Sequence, residues 1–263
     1  MQATARQKFR RDYGRIRKFE GRGCTDAEYY RSLPFTHGGG ALAWQWRIRA
    51  ASYRCFERRV LDPLERTAGR PLVILDAGAG NAWLSNRLTQ RGHRTVALDI
   101  FNDVLDGLAA IQYYSPTFPA VEADFDELPF APGSFDLVVY NSSFHYSPDY
   151  RSTLAAARRV LRNQGSFVIL DSPVYRKFEH GERMRRERQS KFENEYGFRS
   201  EADGSIEFLD EQILKQLGRE LQIQWSRVQP WLGWKWAFRP VRAWLRRERP
   251  PSRFILLSGR FLS

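Results

Sequence analysis

The stretch Leu75-Asp76-Ala77-Gly78-Ala79-Gly80-Asn81-Ala82-Trp83-Leu84 decides the fold. It closes the apolar run Leu72-Val73-Ile74-Leu75 and opens a segment whose spacing predicts a helix from about Asn81 to Arg91. A strand apolar on both faces, a glycine turn and a helix start together let a ligand approach backbone N–H groups. Taken alone, Gly-x-Gly equally suits a tight turn that binds nothing. A dinucleotide site places a third glycine three residues after the second, where this chain carries Trp83. Asp76 would also repel a pyrophosphate, whereas it suits an ammonium group as hydrogen-bond acceptor.

Outward from that turn the same alternation repeats. Thr95-Val96-Ala97-Leu98 precedes a helix expected through Val104, Leu105, Leu108 and Ile111, and a weak strand follows at Ala120-Val121-Glu122. Phe135 to Tyr140 forms a strong strand, and a helix from Tyr150 to Leu161 leads into Ser166 to Leu170. Strands alternating with helices predict an α/β fold, a doubly wound, mostly parallel sheet. Leu221 to Val228 and Phe254 to Ser258 suit an edge hairpin of that sheet, which brings in an antiparallel edge strand. A helix is expected from Glu207 to Leu217. Upstream, the basic start to about Arg31 and the run Thr36-His37-Gly38-Gly39-Gly40 read as a flexible or lid-like leader. Ala41 to Arg66 has the apolar spacing of one or two helices, with Pro63 ending or kinking the second.

At these residues the chain resembles the class I S-adenosylmethionine-dependent methyltransferases, in particular the small-molecule branch with the ubiquinone and menaquinone biosynthesis enzymes. Asp76-x-Gly78-x-Gly80 matches the family's first motif, with Ala82 where a third glycine is common. The resemblance runs from about Leu72 to Tyr175. It implies a Rossmann-like methyltransferase domain over 70–263, a basic leader and helical cap over 1–69, and a lid inserted at 174–205. It implies S-adenosyl-L-methionine as cofactor, held by Asp76, Ala77, Gly78, Ala79, Gly80, Asn81 and Asn141. Asp99 would take the ribose hydroxyls, Ile100 the adenine face, and Asp124 with Phe125 the adenine edge. The segment Tyr140 to Tyr146 would face the reacting methyl, with His145 as general-base candidate and packing as its alternative role. Ser142, Tyr146, Tyr175 and the loop residue His37 are candidates for the acceptor pocket. The expected reaction is methyl transfer to an oxygen or carbon of a small aromatic or lipophilic acceptor. An RNA methyltransferase and a non-catalytic interaction protein on the same fold are the alternatives.

Composition sets the outer bounds. The 263 residues are 42% hydrophobic and 27% charged, a balance that excludes a chain disordered throughout. Cys24 and Cys55 lie in no Cys-x-x-Cys frame, so neither a disulfide scaffold nor a zinc site is expected, and four scattered histidines suggest no metal. With no signal-like start and no long apolar run, a cytoplasmic protein is expected. The net charge of +12 favours an anionic substrate, nucleic acid or an acidic membrane face, with nucleic acid the weaker reading because the charge is dispersed. Trp231, Trp234, Trp236, Phe238 and Trp244 among arginines read first as a satellite core with a basic outer face, and second as a contact with anionic membrane.

Overall fold

The computed structural model describes residues 2–36, 42–197 and 204–262. Helices α1 (Gln2–Phe19), α2 (Ala27–Ser32) and α3 (Ala43–Phe56) precede the sheet, the last running through a π-helical turn, Glu57–Leu61, into α4 (Asp62–Ala68). Strands β1 (Val73–Ala77), β2 (Arg94–Asp99), β3 (Ala120–Glu122), β4 (Phe135–Asn141) and β5 (Leu161–Leu170) are parallel, with α5 (Trp83–Gln90) after β1 and α6 (Tyr150–Val160) after β4. Then come β6 (Pro173–Tyr175), α7 (Phe178–Tyr196), β7 (Leu209–Asp210), α8 (Glu211–Glu220), β8 (Ile223–Val228), α9 (Trp234–Ala237), α10 (Arg239–Leu245), β9 (Arg253–Phe254) and β10 (Leu256–Phe261). The main sheet has the order β3-β2-β1-β4-β5-β10-β8, and a small second sheet the order β7-β6-β9. The antiparallel strand is β10, one place in from the edge.

Each central strand supplies both cores, which is why its sequence is apolar without alternation. Ile74, Leu137, Val139, Val168 and Leu170 face one cluster, while Leu75, Ala77, Val138, Tyr140, Phe167 and Ile169 face the other. The first cluster also takes Tyr30, Leu33, Trp46, Tyr53 and Phe56, so the N-terminal helices share the sheet's own core. Because β1 is flanked by β2 on one side and β4 on the other, the chain changes direction at its carboxyl end. There the loops part and leave a crevice.

Several expectations change in detail. The start of the chain is helical, not a flexible leader, and α1 is docked through the Arg17–Asp106 ion pair and the Tyr13 ring set edge-on to Phe101. The helix expected through Val104 to Ile111 is a turn followed by a 3-10 helix, Leu108–Tyr113. Asp103 starts a single turn, accepting from the N–H groups of Leu105 and Asp106, but Gly107 is extended and Leu108 N–H donates to the Phe101 carbonyl instead of continuing a helix. Helix α8 begins at Glu211 rather than Glu207, because Asp210 caps it by accepting from Gln212 and Ile213. Pro63 closely follows the π-helical turn, and the helix runs on through it to Ala68 rather than ending there. Trp231, Trp234 and Trp244 are 62%, 71% and 75% exposed, which overturns the satellite-core reading for them. Only Trp236 turns inward, against Phe254 and beneath the Arg239 guanidinium.

Candidate active site

The crevice holds a cavity of about 440 Å³. Its floor is built by the turn after β1. Gly78 has φ +76°, and a Cβ there would lie 2.3 Å from Ser143 Cβ, so only glycine admits the loop after β4 so close. That loop is tied down by Ser143 Oγ, which donates to the Ala77 carbonyl at 2.6 Å. Gly80, at φ +55°, donates its N–H to Asp99 Oδ2 at 2.7 Å, and Phe101 N–H donates to Asp99 Oδ1 at 2.8 Å. The end of β2 is thereby locked to the turn after β1. Burial raises the Asp99 carboxyl above the usual carboxylate range despite these two donors.

At the end of β3, Asp124 Oδ1 accepts from Asp126 N–H at 3.0 Å, and the Phe125 ring stands edge-on to Tyr140. Gly78, Ala79, Gly80, Asn81, Asp99, Ile100, Asp124, Phe125, Asn141, Ser142 and Tyr146 all line the cavity. Of the positions expected from the sequence, these eleven are brought together. Asp76 and Ala77 lie beneath the floor rather than on it. Asp76 Oδ2 accepts from both the N–H and the hydroxyl of Ser85, while Oδ1 is buried with no hydrogen-bond partner. Burial pushes this carboxyl up to about 7.

His145 and Tyr175 do not reach the cavity wall. The His145 ring is buried with Nδ1 3.1 Å from Ser172 Oγ. Burial, with Arg188 and Arg49 adding to it, pushes His145 down to about 3, so it is neutral throughout the physiological range. Tyr175 is buried against Phe208, and its hydroxyl accepts from Arg249 Nη1 at 3.2 Å. His37 lies outside the described residues. No described residue of α7 lines the cavity, although its end reaches α1, where the Tyr196 and Phe19 rings stack at 4.8 Å.

The opposite wall comes from the segment expected as leader and helical cap, through residues not expected among those that line the cavity. Tyr13 and Arg17 come from α1, Arg22 from the turn after it, and Trp46 and Arg49 from α3. Arg17 pairs with Asp106, which also lines the cavity. Trp83 is both wall and core, with Trp46 edge-on at 6.2 Å and Tyr53 at 5.7 Å. Asp126, pushed up to about 6 by burial, completes the rim with Glu127 and Pro148. For Arg49 a signal existed: Trp46, Arg49, Ala50 and Tyr53 fall on one helical face, which sets a charge on an otherwise apolar stripe. For Arg17 none did.

Residues 75–169 match the protein family described as methyltransferase domain. Over 128 residues the chain is 34% identical to the sarcosine/dimethylglycine N-methyltransferase of Halorhodospira halochloris, covering 47% of this chain and 45% of that protein. It is 33% identical over 130 residues to the malonyl-[acyl-carrier protein] O-methyltransferase of Erwinia pyrifoliae, with 49% and 48% covered. The chain thus spans a little under half the length of the curated relatives it matches. Among solved structures, a SAM-dependent methyltransferase from Thermotoga maritima superposes with a TM-score of 0.53 at 13% identity, covering 88% of this chain and 94% of that one. That likeness shows the fold.

Proposed function

We propose that this chain, which belongs over residues 75–169 to the class I S-adenosylmethionine-dependent methyltransferases, transfers a methyl group to an oxygen or carbon of a small aromatic or lipophilic acceptor. The observation that carries the reading is the convergence of Asp99, Asp124 and the Gly78–Gly80 turn on one cavity at three adjacent strand ends. The residues fit the cofactor. The orphaned Asp76 Oδ1 lies under the turn as an acceptor for an ammonium group, and a Cβ at Gly80 would meet no protein atom within 4 Å. Asp99 keeps lone pairs beyond those used by Gly80 and Phe101, as acceptance from a pair of ribose hydroxyls requires.

When bound, S-adenosylmethionine supplies a sulfonium-activated methyl carbon open to in-line displacement. Asp99 and Asp124 fix the nucleoside end, while Tyr146 and Ser142, beyond β4, orient the acceptor. Tyr13 and Trp46 cover the cavity and exclude water. His145 acts through packing in this reading, since a neutral imidazole held off the wall has no route to an acceptor proton. The test is calorimetry with S-adenosylhomocysteine and NAD, then transfer of labelled methyl to small-molecule and RNA fractions. Binding of the former alone, with label in the small molecules, is expected. Label confined to RNA would overturn the acceptor class.

A second, compatible proposal concerns anionic membrane. Trp231, Trp234, Phe238, Trp244 and Leu245 are all more than 60% exposed, beside the exposed cations Lys235, Arg242, Arg246 and Arg247. Indoles seat at the headgroup level and cations add attraction to acidic lipids. No helix among the described residues is long and apolar enough to cross a membrane, so the contact would be peripheral. Changing Trp231, Trp234 and Trp244 together to Ala should weaken binding to phosphatidylserine-containing vesicles about tenfold or more, measured by co-sedimentation with competing RNA. Wild-type vesicle binding by that variant would remove the membrane role.

A further inference from the structure

The helical wall carries three arginines whose compensation differs. Arg17 is paired with Asp106, and Arg22 with Glu20. Arg49 has no carboxylate within 4 Å among the described residues. Its Nη1 donates to Gln45 Oε1 at 3.3 Å, and the same oxygen accepts from Arg22 Nη2 at 2.9 Å. Two guanidinium groups therefore meet on one neutral amide oxygen at the cavity wall. Asp171 and Asp106 act on Arg49 only through space; Asp171 Oδ1 accepts from the Ser52 hydroxyl at 2.6 Å, and its Oδ2 is buried without a hydrogen-bond partner. The guanidinium lies 5.1 Å over the Trp46 ring, which limits its freedom. Burial, then the like charge of Arg22, pushes Arg49 down to about 10, so it remains a cation at neutral pH with no carboxylate bonded to it among the described residues. Such a group is costly to keep unless something anionic enters.

Resting on the methyltransferase reading, we propose that Arg49, supported by Arg22 through Gln45, is a subsite for a carboxylate carried by the methyl acceptor. Guanidinium matches a planar carboxylate with two parallel hydrogen bonds, and Trp46 and Tyr13 line the same cavity beside it as apolar surface for the remainder of such a molecule. Arg49 acts electrostatically on His145 and Asp171, which follow β4 and β5, so it stands on the side of the cavity expected to face the reacting methyl, away from Asp99 and Asp124 at β2 and β3. A carboxylate held this way has its lone pairs engaged and its charge neutralised. It is the handle, and the atom that receives the methyl is another nucleophile on the same molecule.

The test uses the full chain saturated with S-adenosylhomocysteine and titrated calorimetrically with 2-naphthoate and its neutral counterpart 2-naphthamide. Naphthoate should bind about tenfold or more tightly than the amide. Arg49→Gln should abolish that preference while Arg49→Lys keeps part of it, with affinity for S-adenosylhomocysteine changed less than about threefold in both. Equal binding of acid and amide to the wild type, or a preference that survives in Arg49→Gln, would overturn the proposal. A loss of about tenfold or more in S-adenosylhomocysteine affinity in Arg49→Gln would do so as well, since the subsite would then serve the cofactor's carboxylate. If the wild type binds no S-adenosylhomocysteine, the methyltransferase reading fails instead. The same titration on the free protein then decides the subsite alone.

Discussion

The floor and the helical wall of this one cavity are built in opposite ways. The floor is acidic, assembled from strand ends, and each of its carboxylates is held by backbone N–H groups within two to nineteen residues of it. The wall is basic, assembled from α1 and α3, and its key pair joins Arg17 to Asp106, 89 residues away. A floor held by local backbone bonds has its geometry set before any ligand arrives. A wall that depends on docked helices owes its geometry to the rest of the core, and its chemistry can differ while the floor stays the same.

Three measurements would break or sharpen that contrast. The largest effect is expected on the floor: Asp99→Ala should weaken S-adenosylhomocysteine binding by roughly 1.5–3 kcal/mol, because the charge-assisted bonds to the ribose and the lock on Gly80 N–H are both lost. Arg17→Ala should cost less by the same calorimetry. A larger loss there would reverse the ranking of floor and wall.

The next effect falls on stability. His145→Ala removes a buried ring and the contact to Ser172, and should destabilise the fold by about 1–3 kcal/mol in urea unfolding. The pH profile of methyl transfer should keep its shape. A lost acid limb together with unchanged stability would restore His145 as the base and extend the floor's chemistry to that loop.

The last effect is a pH dependence beneath the floor. Burial raises the folded Asp76 carboxyl from 3.8 to about 7, so between those values the folded state retains a proton that the unfolded state has released. Stability of the free protein should therefore fall as pH rises from about 4 to 7. Asp76→Asn should lack this slope, so the two proteins diverge steadily as pH rises to neutral. Saturating S-adenosylhomocysteine should narrow the gap, because its ammonium group favours the ionised form. Parallel melting curves across that range would place Asp76 outside both effects.

The contrast also explains what the sequence could reveal. Strands β1, β2, β4 and β5 and the turn Asp76 to Asn81 are legible because continuous apolar runs followed by glycine turns are local patterns. Asp99 and Asp124 are legible only through the resemblance to the methyltransferase family, which matches each of them by its place after a strand. Tyr13, Arg17 and Arg22 carry no local mark, for a charged amphipathic start reads alike whether solvated or folded over a cavity. His145 and Tyr175 mislead because residue type and loop position suggest chemistry, while the direction of a side chain is decided by tertiary contacts with Ser172 and Arg249. The exposed indoles after β8 were legible as a cluster, but not as a surface, because a Trp-rich run gives no local sign of which rings find a partner.

The tryptophans also divide the molecule optically. Trp46 and Trp83 are 6% and 5% exposed and meet at the cavity wall, whereas Trp231, Trp234 and Trp244 stand in solvent. The first pair should emit at the blue edge of the fluorescence spectrum and resist acrylamide, and the second group should emit to the red and be quenched readily. Filling the cavity would then alter the blue component alone, and seating on a bilayer would shift the red component alone. One unlabelled sample would report both events independently.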